Sequence, residues 1–112
     1  MLHLKSSKDF QRVRRDGRSW SHPLIVLIAC RNEGSPTRIG ITAASGMASA
    51  VARNRGKRRL RAAARLAETQ IAAGWDMVLI ARPPLVDAEW PEVLRALETL
   101  LRRGKLAKEI VQ

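Results

Sequence analysis

Apolar positions along this chain fall into blocks separated by polar, glycine-rich or proline-rich breaks. Near the start, Phe10 and Val13 sit one helical turn apart, behind the stretch SSKD from Ser6 to Asp9. That stretch has the S-x-x-D form of a capping box and Gly17 supplies a stop, so the spacing predicts a short first helix. SHPLIVLIAC, residues 21 to 30, is a β-rich apolar run whose Pro23 puts its start at an edge or an irregular point. RNEGSPT reads as a loop and RIGITAA, residues 38 to 44, as a second strand. The two runs make a candidate antiparallel hairpin.

From about residue 48 to 73 the chain turns to Ala, Arg and Leu, strong helix formers, with Gly74 to end the element. WDMVLIA, residues 75 to 81, is the continuous apolar run of a buried central strand. Pro83 and Pro84 then bar helix or ladder. Trp90, Leu94, Leu97 and Leu101 recur at helical spacing between Pro91 and Gly104, which predicts a last helix over residues 90 to 103. The order α-β-β-α-β-α implies an α+β fold, a small sheet packed with helices, in a single domain over residues 1 to 112.

Charge changes the picture most. The net charge is +11, and hydrophobic residues make up 46% of the chain, too many for a disordered basic tail. A folded surface carrying that charge points to a polyanionic partner. The longest apolar run, Leu24 to Cys30, falls far short of the roughly 20 residues of a spanning helix, so a membrane is not the expected partner. No signal peptide is visible, and a single cysteine, Cys30, fits a reducing cytoplasm. In its apolar run Cys30 reads as a small strand residue.

The positive charge is localised. No Asp or Glu lies between Glu33 and Glu68, and six of the nine residues from Arg53 to Arg61 are Arg or Lys. On a wheel at ~100° per residue, Gly56, Leu60, Ala63, Ala64, Ala67 and Ile71 form the core-facing stripe. Arg53, Asn54, Lys57, Arg58, Arg61 and Arg65 fill the neighbouring arc, with Arg55 and Arg59 further round. Pairs such as Arg53–Lys57 and Lys57–Arg61 cost a few tenths of a kcal/mol each. A merely solvated face would mix signs; this one carries no acid to relieve the repulsion. Five of its six cations are Arg, whose planar fork suits phosphate.

Catalytic chemistry is thinly supplied. The only histidines are His3, at an N-terminus expected to fray, and His22, before Pro23, and no metal-ligand spacing is present. Asp87, Glu89 and Glu92 suit the start of the last helix, where acids favour the dipole. Trp20, Trp75 and Trp90 read as packing residues at the core or a strand edge.

RIGITAASGMASAVARNRGKRRLR resembles the signature of the bacterial ribonuclease P protein subunit, an R-N-R-x-K-R-x-x-R helix after a short R-[IV]-G-[IL] strand. Here the motif is Arg53-Asn54-Arg55, Lys57-Arg58 and Arg61, preceded by Arg38-Ile39-Gly40-Ile41. LKSSKDFQRVRRDGRS is similar to that family's first helix, and WDMVLIARPP to its third main strand. The resemblance implies a fold of the ribosomal protein S5 domain 2-like type, with a left-handed β-α-β crossover through the basic helix. It implies a protein cofactor of an RNA enzyme, inactive alone and requiring no protein partner, with Mg2+ used by the RNA and none bound by the protein. The implied partners are ribonuclease P RNA, gripped by Arg53, Asn54, Arg55, Lys57, Arg58 and Arg61, with Arg65 on the same arc as a further RNA-binding candidate, and precursor tRNA. Its 5′ leader would lie in a cleft lined by Phe10, Arg14, Ser19, Ile25 and Ile28. Ser45 and Gly46 stand where the family often has lysines, and Arg14 and Ile28 where it often has aromatics. Two alternatives remain: an rRNA-binding or ribosome-assembly protein using the same helix, and a stand-alone ribonuclease, for which the acid–base pair is missing.

Overall fold

A computed structural model describes residues 2–108. Its central strand is the uniformly apolar WDMVLIA run, β5 (Trp75–Ala81), flanked by β3 (Ile25–Arg31) on one side and β4 (Arg38–Ala43) on the other. β5 runs antiparallel to β3 and parallel to β4, so β3 and β4 do not form the expected hairpin. A strand apolar on both faces gains most between two neighbours with layers above and below. A parallel partner then requires a crossover, supplied here by the basic helix α2 (Ala50–Ala67).

Two strands escaped the sequence pattern. β2 (Arg18–Ser21) pairs antiparallel with β3 through the turn at His22–Leu24, which makes β2–β3 the actual hairpin. β1 (Leu2–His3) adds a parallel edge to β4, so His3 is held in the sheet rather than frayed, with Leu4 buried behind it. The sheet order is β1-β4-β5-β3-β2.

The first helix, α1 (Ser7–Asp16), covers one face of the sheet; Ser6 caps it by accepting from the Lys8 N–H at 3.2 Å. On the other face, α2 and α3 (Trp90–Arg103) enclose the main core of Leu60, Met77, Leu79, Leu97 and Leu100. The buried face of α3 centres on Val93, Leu97 and Leu100, leaving Trp90 and Leu94 half-buried. Trp20, Trp75 and Trp90 all sit at the margin of this core, under Arg18, Arg31 and Arg59 respectively.

α2 ends six residues before its composition suggests, at Ala67 against residue 73. A 3-10 turn, Glu68–Gln70, follows, and Ile71 enters the core in an extended conformation, bridged to Ala107. Ala72 and Lys108 add backbone bonds to Leu106 and Gln70 at 2.8 and 2.6 Å. Tertiary pairing overrides alanine's helix propensity here. The two prolines bar less than expected: Pro83–Asp87 is a 3-10 turn with proline in its opening positions, where a missing N–H costs no bond. No helix among the described residues is long and apolar enough to cross a membrane.

Candidate nucleic-acid interface

Ser49 caps α2 by accepting from the Ala52 N–H at 3.0 Å, and no acid occupies the first turn. Gly56, Leu60, Ala63 and Ala64 are buried against the sheet, as the wheel requires. That burial fixes what faces water. Arg53, Asn54, Arg55, Arg58 and Arg65 are exposed, while Lys57 and Arg61 are half-buried. Val51, Asn54, Lys57, Arg58 and Arg61 line a shallow depression on the helix surface. Among the described residues, no ion pair reaches Arg53, Arg55, Lys57, Arg58, Arg61 or Arg65. Their charge is therefore uncompensated inside the protein and offered to solvent.

Arg59 behaves differently. Its guanidinium donates to the carbonyls of Leu85, Val86 and Ala88 at 2.6, 2.9 and 2.6 Å and lies 5.8 Å from the Trp90 ring centroid. It fastens α2 to the Pro83–Asp87 turn.

A second feature adjoins the first. α1 covers only part of its face of the sheet, and the remainder is an open groove floored by Val26, Ile28, Thr42 and Ile80. Ser21, Ser45 and the cations Arg14, Arg53 and Arg82 border it, and no acid does. Arg53, one helical turn before Lys57 on α2, lines this groove, and its guanidinium reaches back to the Ala44 carbonyl at 3.4 Å. One cationic track thus runs from α2 into the groove.

The cleft candidates divide on this geometry. Arg14 and Ile28 line the groove. Ser19 pairs with Ile28 and shares its face without joining the lining. Ile25 does not belong: it is fully buried in the main core on the opposite face. Strand side chains alternate, so residues an odd number apart cannot share a face, and Ile25 is excluded once Ile28 is accepted. Phe10 is half-buried with Leu4, Val13 and Val78, its ring seated where a Cβ on Gly40 would come within 2.5 Å of it. It anchors α1. Val26, Thr42, Ile80 and Arg82 were overlooked; the same alternation, carried along each strand from Ile28, points to the first three.

Beneath α1 lies a polar cluster that the sequence reading passed over as part of an apolar run. Asp76 is fully buried and accepts from Arg38 Nε and Nη2 at 3.0 and 2.7 Å, from Asn32 Nδ2 at 3.1 Å and from Arg12. Burial alone would raise its pKa, but the hydrogen bonds from Arg38, Arg12 and Asn32 outweigh burial and hold it at about 2. Arg12 also reaches Asp9 at 3.3 Å and the Cys30 sulfur at 3.2 Å. A lone acid inside an apolar strand was the available signal.

His22 is occupied structurally: its Nδ1 accepts from the Leu24 N–H at 3.0 Å and its carbonyl from Arg82 at 3.2 Å. His3 is exposed on β1.

Comparison with known proteins agrees with this arrangement. The sequence model of the family Ribonuclease P matches residues 1–105. The ribonuclease P protein component of Herpetosiphon aurantiacus is 42% identical over 92% of this chain and 84% of its own length. That of Roseiflexus castenholzii is 41% identical over 96% and 89% respectively. Among solved structures, the Staphylococcus aureus RNase P protein superposes with a TM-score of 0.82 at 28% identity, covering 96% of this chain and 99% of that one. The Thermotoga maritima RNase P protein gives 0.79 at 27% identity, over 92% and 97%. These relatives do not favour the rRNA-binding alternative. The fold, the cationic helix and the family match converge on one assignment: the chain belongs to the ribonuclease P protein family, the protein components of ribonuclease P.

Proposed function

We propose that this protein docks on the catalytic RNA of ribonuclease P through the exposed face of α2 and holds the single-stranded 5′ leader of precursor tRNA along the groove beside α1. As a ribonuclease P protein component it is a cofactor of the holoenzyme that matures tRNA 5′ ends. The observation that carries the finer reading is the set of cations Lys57, Arg58 and Arg61 on α2, continued one turn earlier on the same helix by Arg53, which lines the groove with Arg14 and Arg82. Two RNA strands brought together by one protein repel each other, and unpaired arginines at their junction relieve that repulsion.

The groove's apolar floor suits unstacked bases and its rim suits phosphates, a combination that fits a single strand better than a duplex. With no aromatic residue among its lining, the groove supports a contact resting more on charge than on base stacking. Mature tRNA lacks the leader, so the groove favours substrate over product. In this reading Mg2+ serves the RNA, and the protein lowers the amount required by screening phosphates; the setting is the cytoplasm.

The test is precursor-tRNA cleavage at low Mg2+ with protein alone, a bacterial ribonuclease P RNA alone, and both together. Cleavage at the mature 5′ end by the combination only is the expected result. Cleavage by the protein alone would overturn the cofactor reading, and equal affinity of the holoenzyme for precursor and mature tRNA would overturn the leader groove.

A further inference from the structure

Asp76 is the one charged side chain among the described residues that lies fully out of water, and it touches neither surface assigned to RNA. It sits on β5 facing α1, in line with Val78 and Ile80 on the same face. Val78 packs under Val13 of α1, and Ile80 floors the groove. Asp76 therefore stands at the covered end of a strand row whose other end is the open groove.

The apolar hold of α1 on the sheet is slight. Only Leu4, Val13 and Val78 are buried there, with Phe10, Ile28, Cys30 and Ile80 packed partly around them. Aliphatic contacts of that extent resist removal of the helix but set its lateral position weakly, because dispersion is not directional. Guanidinium–carboxylate contacts are directional. Arg12 on α1 and Arg38 on β4 both close on Asp76, and Asp9 of α1 reaches Arg38 at 3.6 Å, so the helix is tied to two neighbouring strands at once. Arg14, two residues beyond Arg12 in the same helix, borders the groove. Any slip of α1 moves that wall.

We propose that Asp76, acting through Arg12 and Arg38, is a positioning residue that fixes α1 against the sheet and thereby sets the width of the leader groove. The inference rests on the leader reading above. It also assigns the guanidinium groups of Arg12 and Arg38 to a buried carboxylate rather than to phosphate.

The experiment uses reconstituted holoenzyme with Arg12→Ala, Arg12→Lys and, as a groove control outside the α1 contact, Val26→Glu. Arg12→Ala leaves Asp76 held by Arg38 and Asn32, so no buried charge is stranded. Its KM for precursor should rise roughly 3- to 10-fold with kcat at saturation unchanged, as for a residue that acts on a site without touching its ligand. Affinities for mature tRNA and for the catalytic RNA should stay at the wild-type values. Arg12→Lys, which restores a charge beside Asp76, should recover part of the lost KM; it carries the test alone if the alanine variant does not fold. An unchanged KM in the Arg12 variants while Val26→Glu raises it overturns the positioning inference and leaves the leader reading standing. If Val26→Glu also has no effect, the leader reading falls and takes the inference with it. A parallel loss of catalytic-RNA affinity in Arg12→Ala would reduce the network to general fold support and overturn the inference as well.

Discussion

At the scale of single residues, Asp76 shows how position turns a liability into stability. A buried carboxylate is unfavourable unless its hydrogen bonds are filled, and Arg38, Arg12 and Asn32 fill them. Its pKa is held at about 2, below the ordinary aspartate value in the unfolded chain. A carboxylate depressed in this way stabilises the fold at every pH above its unfolded pKa. The contribution, about 2 kcal/mol for a shift of this size, fades as pH falls from about 4 to about 2. Asp76→Asn should therefore lower stability at pH 7 and flatten the acid dependence over that window, measured by denaturant unfolding at several pH values. An unaltered acid profile would place the titration elsewhere. Gly56 offers the reverse case. A Cβ there would meet Ala81, Met47 and Val86 side-chain atoms at 3.5, 3.5 and 3.6 Å, ordinary contact distances. Gly56→Ala should thus stabilise α2 by roughly 0.5–1 kcal/mol and raise Tm by a few degrees; a fall in Tm would mean the packing is tighter than these distances indicate.

At the scale of elements, α2 joins two jobs in adjacent residues. Arg58 is exposed and has no ion pair among the described residues, whereas Arg59 donates to two carbonyls of the Pro83–Asp87 turn and to that of Ala88 just after it. Arg58→Ala should leave thermal stability unchanged and reduce the salt slope of catalytic-RNA binding by about 0.7–0.9 per lost phosphate contact. Arg59→Ala should do the opposite, costing about 2–3 kcal/mol in stability with little change in slope. Equal slopes in the two variants would contradict the division. The helices α2 and α3 and the central strand were legible in sequence because their apolar patterns run long, and Pro91 and Gly104 bracket α3. β2 was not: RSWS is four residues without alternation and is held by its pairing to β3 rather than by propensity. The pairing of β3 and β4 was misjudged because two β-rich runs consecutive across a turn-rich segment suggested a hairpin, while the evenly apolar β5 had the stronger claim to the centre. In the site, the α2 cations were readable from the missing acids. The groove floor needed strand parity, and the Asp76 network joins residues up to 64 apart in sequence, beyond any local pattern.

At the scale of the molecule, the arrangement separates charge by use. Asp9, Asp16, Asp76 and Glu98 are paired with Arg12, Arg15, Arg38 and Arg102, all away from α2, so internal neutralisation leaves the cationic track intact. Arg53 is the junction of that track: Arg61 lies on the helix side and Arg82 on the groove side. If the two sides serve different RNAs, single alanine variants should sort cleanly. Arg61→Ala should weaken catalytic-RNA binding alone, and Arg82→Ala precursor binding alone, each by about 1–2 kcal/mol for a charge-assisted contact. Arg53→Ala should weaken both, because Arg53 lines the groove and stands one turn before Lys57 on the α2 face. Distant sites add and shared ones do not, so the Arg61/Arg82 double variant should equal the sum of its singles. Titrating the assembled holoenzyme with precursor and mature tRNA, and the free protein with catalytic RNA, reads all four variants. Loss of catalytic-RNA affinity in Arg82→Ala would merge the two surfaces into one and end the division of labour along the track.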